Sequence, residues 1–258
     1  MELVESADGT RIALHRVGSG TPVVIVGGAF STSGAGGPLA AALAAEGFEG
    51  VTYDRRGRAD SGDTAPYAPS REAEDLTAVI EHLGGRAVVL GHSSGAILAL
   101  LAAAEGSPIS ALFLSEPPFR FGVEAVADDL PDRLQALIDA GTPEEAVPLF
   151  QREAVGLPEA VIDQIRSSPM FAGLVPLAQS VVYDARLTAA VETPSAAMLG
   201  VGAPVTVLRG EPTYPMLVAA AERLAAAMPS AELVVVPESH DHGVDPEATA
   251  RLIASRVG

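Results

Sequence analysis

Short apolar runs alternate along this chain with longer segments whose apolar positions recur at helical spacing. Residues 11–17 read as an antiparallel strand after the turn at Asp8-Gly9, and residues 22–26, with four β-branched side chains in a row, as a buried strand. The pattern next predicts a helix over 38–46 stopped by Gly47, a strand over 50–53 and a helix over 71–83. A strand over 87–90, a helix over 96–105 and a strand over 111–114 follow. Strands alternating with helices predict a parallel sheet covered on both faces.

The rhythm breaks after Pro117. Helical segments over 130–140, 143–153, 158–167 and 169–187 follow one another without a convincing strand, punctuated by prolines. The simplest account is an all-helical insertion, residues 119–194, on a core made of residues 1–118 and 195–258. The sheet pattern resumes with a strand over 205–208, a helix over 216–228, a strand over 232–236 and a helix over 246–257. No internal repeat or low-complexity linker interrupts it.

Composition removes several chemistries. The net charge is −17, and all 16 basic residues are arginine. A surface of that sign repels phosphates, and with no basic cluster in view a nucleic-acid partner is not expected. The absence of cysteine excludes disulfides and thiolate catalysis, and the absence of lysine excludes a Schiff base or a P-loop. The first six residues are acidic and carry no signal-peptide core, and the Ala/Leu-rich run at 96–104 is too short to span a bilayer. The expectation is a cytoplasmic protein with no membrane partner.

One motif carries chemistry. Gly91-His92-Ser93-Ser94-Gly95 fits G-x-S-x-G, between the strand at 87–90 and the helix at 96–105. That context makes it a nucleophile elbow: a turn tight enough to strain the serine and require glycine at −2 and +2. The following helix aims its N-terminal N–H groups at the site. Gly27–Gly37 is also glycine-rich, but it lacks the G-x-G-x-x-G order of a dinucleotide loop.

With these residues the chain resembles the α/β-hydrolase superfamily over nearly its whole length. The stretch from Tyr53 to Gly62 looks like that superfamily's D-x-R-G-x-G-x-S loop, and Gly27-Gly28 stands where its members usually have His-Gly. The resemblance implies an α/β-hydrolase fold: a mostly parallel eight-stranded sheet, helices on both faces, and a helical cap inserted after the sixth strand. It also implies a triad ordered serine, acid, histidine, with the oxyanion held by backbone N–H groups of Ser94 and Ala29. Neither metal nor cofactor is required.

A serine hydroxyl needs a base, and the base needs an orienting acid. His15 and His82 read as structural, and His92, inside the elbow, is expected to pack behind the serine. His240 and His242 lie after the last strand, where the superfamily carries its base. Distances from the strand end and from the helix at 246 favour His240, leaving His242 as a loop residue and the alternative. Most members take their acid after the seventh strand, where this chain has Thr213. A minority take it after the sixth, which here ends in Leu114-Ser115-Glu116-Pro117-Pro118. The expected triad is therefore Ser93–His240–Glu116, with Glu211 as the alternative acid.

The serine in G-x-S-S-G-A, the glutamate after the sixth strand and the proline-threonine loop after the seventh look locally like the zearalenone lactonases. Their cap usually offers a tryptophan, and this chain has none. Phe30, Met170, Phe171, Tyr183 and Met198 are the candidates to line an apolar substrate pocket. The expected partner is a small apolar ester or lactone. Acyl transfer, C–C bond hydrolysis and slow-turnover reception of a small molecule use the same scaffold. The sequence leaves the oligomeric state open, a homodimer being one candidate.

Overall fold

The computed structural model describes residues 1–123 and 126–257. Eight strands form one sheet: β1 (Glu2–Glu5), β2 (Arg11–Gly18), β3 (Pro22–Val26), β4 (Glu49–Tyr53), β5 (Ala87–His92), β6 (Ile109–Ser115), β7 (Val205–Gly210) and β8 (Ala231–Val236). Their order across the sheet is β1-β2-β4-β3-β5-β6-β7-β8. β1 and β2 pair antiparallel with their neighbours, and β3 to β8 run parallel.

Parallel strands need crossovers, and the helices supply them on both faces. In chain order these are α1 (Gly37–Ala45), α2 (Pro69–His82) and α3 (Ser94–Ala104), then α4 (Leu130–Asp139), α5 (Pro143–Phe150), α6 (Glu159–Arg166), α7 (Pro169–Leu174) and α8 (Ala178–Ala190). The short α9 (Ala196–Leu199), α10 (Pro215–Ala227) and α11 (Pro246–Val257) complete the set. One apolar layer joins Val24, Val26, Val89 and Leu114 to Leu76 of α2, Ile97 and Leu100 of α3 and Leu224 of α10. The opposite layer joins Val23, Val88, Leu90 and Phe113 to Leu43 of α1 and Ile253 of α11. Burying each such side chain contributes about 1.5–3 kcal/mol, which fixes the central strands and therefore the loops at their C-terminal ends.

The stretch between β6 and β7 is helical, as its pattern predicts, but more broken. The segment expected as one helix over 169–187 is α7, a 3₁₀ turn at Val175–Leu177 and α8. The segment expected over 143–153 leaves α5 through a π-turn at Gln151–Val155, which Gly156 ends in the left-handed conformation (φ 78°). Leu134, Val147, Phe150, Val181 and Val182 form an apolar cluster of their own, against which Ala29 and Phe30 of the core pack. β1, not anticipated from the sequence, has Val4 as its single buried residue.

Candidate active site

Ser93 occupies the turn between β5 and α3 with φ 56° and ψ −127°. L-residues rarely adopt that conformation, and it persists because the surroundings over-determine it. A Cβ on Gly91 would lie 2.4 Å from the Gly95 carbonyl oxygen, and one on Gly95 would lie 2.2 Å from that of Val26. Both flanking glycines are thus steric requirements of a turn pressed against α3 and β3. Ser94 takes the first position of α3, where an α-helix leaves N–H groups without intrahelical partners.

The residues flanking the turn complete a hydrogen-bonded chain. Ser93 Oγ lies 3.0 Å from His242 Nε2. His242 Nδ1 lies 2.5 Å from Glu116 Oε2. A carboxylate can only accept, so Nδ1 carries the proton and Nε2 is left to accept from the serine hydroxyl. Glu116 follows β6 with φ 48°, is 1% exposed, and its Oε1 accepts from the Gly210 N–H at 2.8 Å. Burial alone raises its carboxyl; the hydrogen bonds from His242 and Gly210 outweigh this and hold it below the ordinary value. Thr213, in the place where the resemblance expects an aspartate, brings its hydroxyl beside this carboxyl without reaching hydrogen-bond geometry.

The histidine that the structure places between Glu116 and Ser93 is His242, not the expected His240. The loop after β8 turns through two left-handed residues, Asp241 (φ 50°) and His242 (φ 63°), and this turn carries His242 inward. His240 is exposed, and its Nδ1 meets the backbone carbonyl of Glu211 at 3.0 Å. Residue count from the strand end cannot register such a reversal. Glu211, the alternative acid, is exposed. His92 packs against His242 with ring centroids 4.7 Å apart, and its Nδ1 lies 3.2 Å from Ser115 Oγ. Removal from water, reinforced by the nearby His242, pushes His92 down to about 3 and keeps it neutral.

A cavity of about 440 Å³ opens onto Ser93 and His242 and is also lined by Ala29 and Ser94. Its apolar wall comes from Phe150, Leu157 and Pro158 of the insertion together with Tyr214, Met216 and Leu217. None of the expected pocket residues is in that wall. Phe30 packs edge-on to Phe150 at 5.6 Å behind it, and Tyr183 stacks on Tyr67 at 4.0 Å with its hydroxyl bonded to Asp63. Phe171 packs in the insertion's apolar cluster, Met170 is 63% exposed, and Met198 lies in the core. Aromatic and sulfur side chains were reasonable candidates by type. The wall does use aromatic and sulfur side chains, but they are Phe150, Tyr214 and Met216, joined by the apolar turn after α5. The one sequence signal for these segments is that the turn and the start of α10 flank prolines, Pro158 and Pro215.

Among the described residues, no group of three or more His, Cys, Asp or Glu side chains is placed to hold a metal ion. No helix of the described residues is long and apolar enough to cross a membrane.

A family model described as the alpha/beta hydrolase family matches residues 15–252. The chain is similar to the 2-(acetamidomethylene)succinate hydrolase of Mesorhizobium japonicum, with 27% identity over 255 residues, 93% of this chain and 89% of that protein. Among solved structures it is similar to an alpha/beta hydrolase from Sphaerobacter thermophilus, at 42% identity and TM-score 0.91, over 98% of this chain and 99% of that one. Its fold is also similar to that of the enol-lactonase from Burkholderia xenovorans, at 21% identity and TM-score 0.71, over 98% of each chain.

Proposed function

The chain belongs to the alpha/beta hydrolase family, and from that premise we propose that it is a serine hydrolase of carboxylic esters or lactones. The observation that carries this reading is the carboxylate–imidazole–hydroxyl chain from the buried Glu116 through His242 to Ser93. In it His242 takes the Ser93 proton as Oγ attacks the carbonyl carbon. Glu116 holds the tautomer and stabilises the imidazolium. The oxyanion is bound by the N–H groups of Ser94 and Ala29, both residues lining the cavity. His242 protonates the departing alkoxide, then activates the water that cleaves the acyl-enzyme. The helical insertion serves as the cap, and its apolar turn favours a small, largely apolar acyl or alkyl group.

A macrolide lactone of the zearalenone type is the finer candidate. It rests on the local likeness around Ser93, Glu116 and the loop after β8. Phe150 and Tyr214 supply aromatic surface in place of the missing tryptophan.

The test follows turnover of a short-chain p-nitrophenyl ester and of zearalenone by wild type, Ser93→Ala, His242→Gln and His240→Gln. Ser93→Ala and His242→Gln are expected to fold normally and lose at least about 10³-fold in kcat. His240→Gln is expected to stay within about twofold of wild type, its ring lying outside the relay. Undiminished turnover by Ser93→Ala overturns the serine mechanism. Ester cleavage without ring opening keeps the mechanism and removes the macrolide substrate.

A further inference from the structure

A second polar cluster lies beneath the cavity, and the proton relay uses none of it. Arg55, Arg58, Glu72 and Asp184 are each no more than 2% exposed. Arg55 and Arg58 belong to the loop after β4, Glu72 to α2, and Asp184 to α8 of the insertion. Arg55 forks onto Glu72 at 2.6 and 2.8 Å. Asp184 Oδ1 accepts from Arg55 Nη1 at 2.8 Å and from Ser94 Oγ at 2.7 Å, while Oδ2 accepts from Arg58 Nη2 at 2.8 Å.

The decisive contact is on the backbone. Arg58 Nη1 donates to the Gly28 carbonyl at 2.6 Å and to the Ser31 carbonyl at 3.0 Å. The Gly28 carbonyl and the Ala29 N–H are the two ends of one peptide group. A cation on an amide oxygen draws density through the C–N bond, so the N–H at the other end becomes a stronger donor. It also fixes the plane of that peptide, and with it the direction of the N–H.

We propose that Arg58 is a positioning residue for the oxyanion site, gripping the Gly28 carbonyl so that the Ala29 N–H is oriented and polarised toward the substrate oxygen. Asp184 holds this device from the insertion. The same carboxylate carries Arg58 and the Ser94 hydroxyl, so it ties both oxyanion donors to α8. The inference rests on the reading that Ala29 and Ser94 bind the oxyanion. A purely structural ion pair has no need of the Gly28 carbonyl. Lysine in place of Arg58 keeps one charge but cannot reach Asp184 and two carbonyls with a fixed fork.

The test compares Arg58→Lys and Arg58→Met with wild type on a p-nitrophenyl ester and on its thiono analogue, whose C=S sulfur is a poor hydrogen-bond acceptor. Both variants are expected to lose about tenfold or more in kcat on the oxygen ester, with KM within about twofold. The thionoester rate falls much less, so the oxygen-to-sulfur rate ratio collapses. A parallel loss on both substrates, or no loss, overturns the proposal. The second readout needs no turnover: the 15N resonance of the Ala29 amide is expected to move upfield when Arg58 is replaced, and an unmoved resonance in a folded variant also overturns it. If Arg58→Met does not fold, Arg58→Lys carries both measurements. Failure of the serine-hydrolase reading looks different, because wild type and Ser93→Ala then behave alike while the Ala29 resonance still reports on Arg58.

Discussion

Arginine–carboxylate pairs occur in two regions of this molecule under opposite conditions. In the loop after β4, Arg55, Arg56 and Arg58 are buried and meet buried carboxylates on α2 and α8. On the outer surface of the insertion, Arg152 pairs with Glu159 and Arg166 with Glu145, with every partner more than 40% exposed. The chemistry is the same and the consequence is not. An exposed pair gains little, because water competes for both ions and salt screens them. A buried pair has lost its water, so each ion depends on the geometry of the other. Two of the buried arginines, Arg55 and Arg58, bond backbone carbonyls of the loop after β3, where position matters. The exposed pairs stand on α5, α6 and the π-turn between them, outside the cavity wall.

The largest expected effect tests the buried side away from the reacting atoms. Asp75 Oδ2 and Oδ1 accept from Arg56 Nε and Nη2, each at 2.7 Å. Burial pushes the Asp75 carboxyl upward even against these two bonds. The pair is therefore costly to assemble and costlier to break. Asp75→Ala leaves a buried guanidinium with only Asp8 as an ionic partner, and is expected to destabilise the fold by about 3–5 kcal/mol. At this chain length that lowers Tm by about 6 °C or more. The double variant Arg56→Met/Asp75→Leu removes both ions and is expected to recover most of the loss. A small effect of Asp75→Ala in thermal unfolding erases the distinction between the two regions.

His92 sharpens the comparison, being a half-buried ionisable group with no carboxylate bonded to its ring. Its value falls from 6.5 when unfolded to about 3 when folded. The sign follows from proton binding: between those values the unfolded chain holds a proton that the folded chain does not. The contribution of this residue is therefore complete above pH 6.5 and lost progressively as pH falls toward 3. Tm measured against pH is expected to decline more gently over that window in His92→Gln than in wild type. Parallel curves for the two proteins exclude burial of this ring as a source of acid sensitivity.

What the sequence revealed depends on how local the cause was. The strand at Pro22–Val26 and the helix at Pro246–Val257 have the bounds their patterns predict, because a β-branched run and a proline at the first helical position act locally. β1 leaves no mark in the pattern, because Glu2, Leu3, Val4 and Glu5 hold one buried side chain and no alternation. At the site, Ser93 was legible from its glycines, and Glu116 from an acidic residue wedged between an apolar strand and two prolines. The histidine was not. Choosing between His240 and His242 requires the φ values of Asp241 and His242, which neither composition nor spacing encodes. The pocket wall was illegible for a related reason. It depends on a π-turn in the insertion and the start of α10, segments some sixty residues apart, facing one cavity.

The smallest expected effect lies on the exposed side. Arg152 holds Glu159 across the turn that joins α5 to α6, and this contact draws the Glu159 carboxyl below its ordinary value. Read alone, that shift suggests a useful tether near the cavity. Exposure argues the reverse: both side chains stand in water, which supplies alternative partners to each ion and screens their attraction. Alanine is also a better helix former than arginine, which offsets part of any loss. Arg152→Ala is therefore expected to move Tm by no more than about 2 °C. Adding salt to wild type should leave Tm similarly unmoved. A drop as large as that of Asp75→Ala gives the outer pair a role in holding the π-turn, and makes the helical insertion depend on its surface rather than on the buried cluster around Asp184.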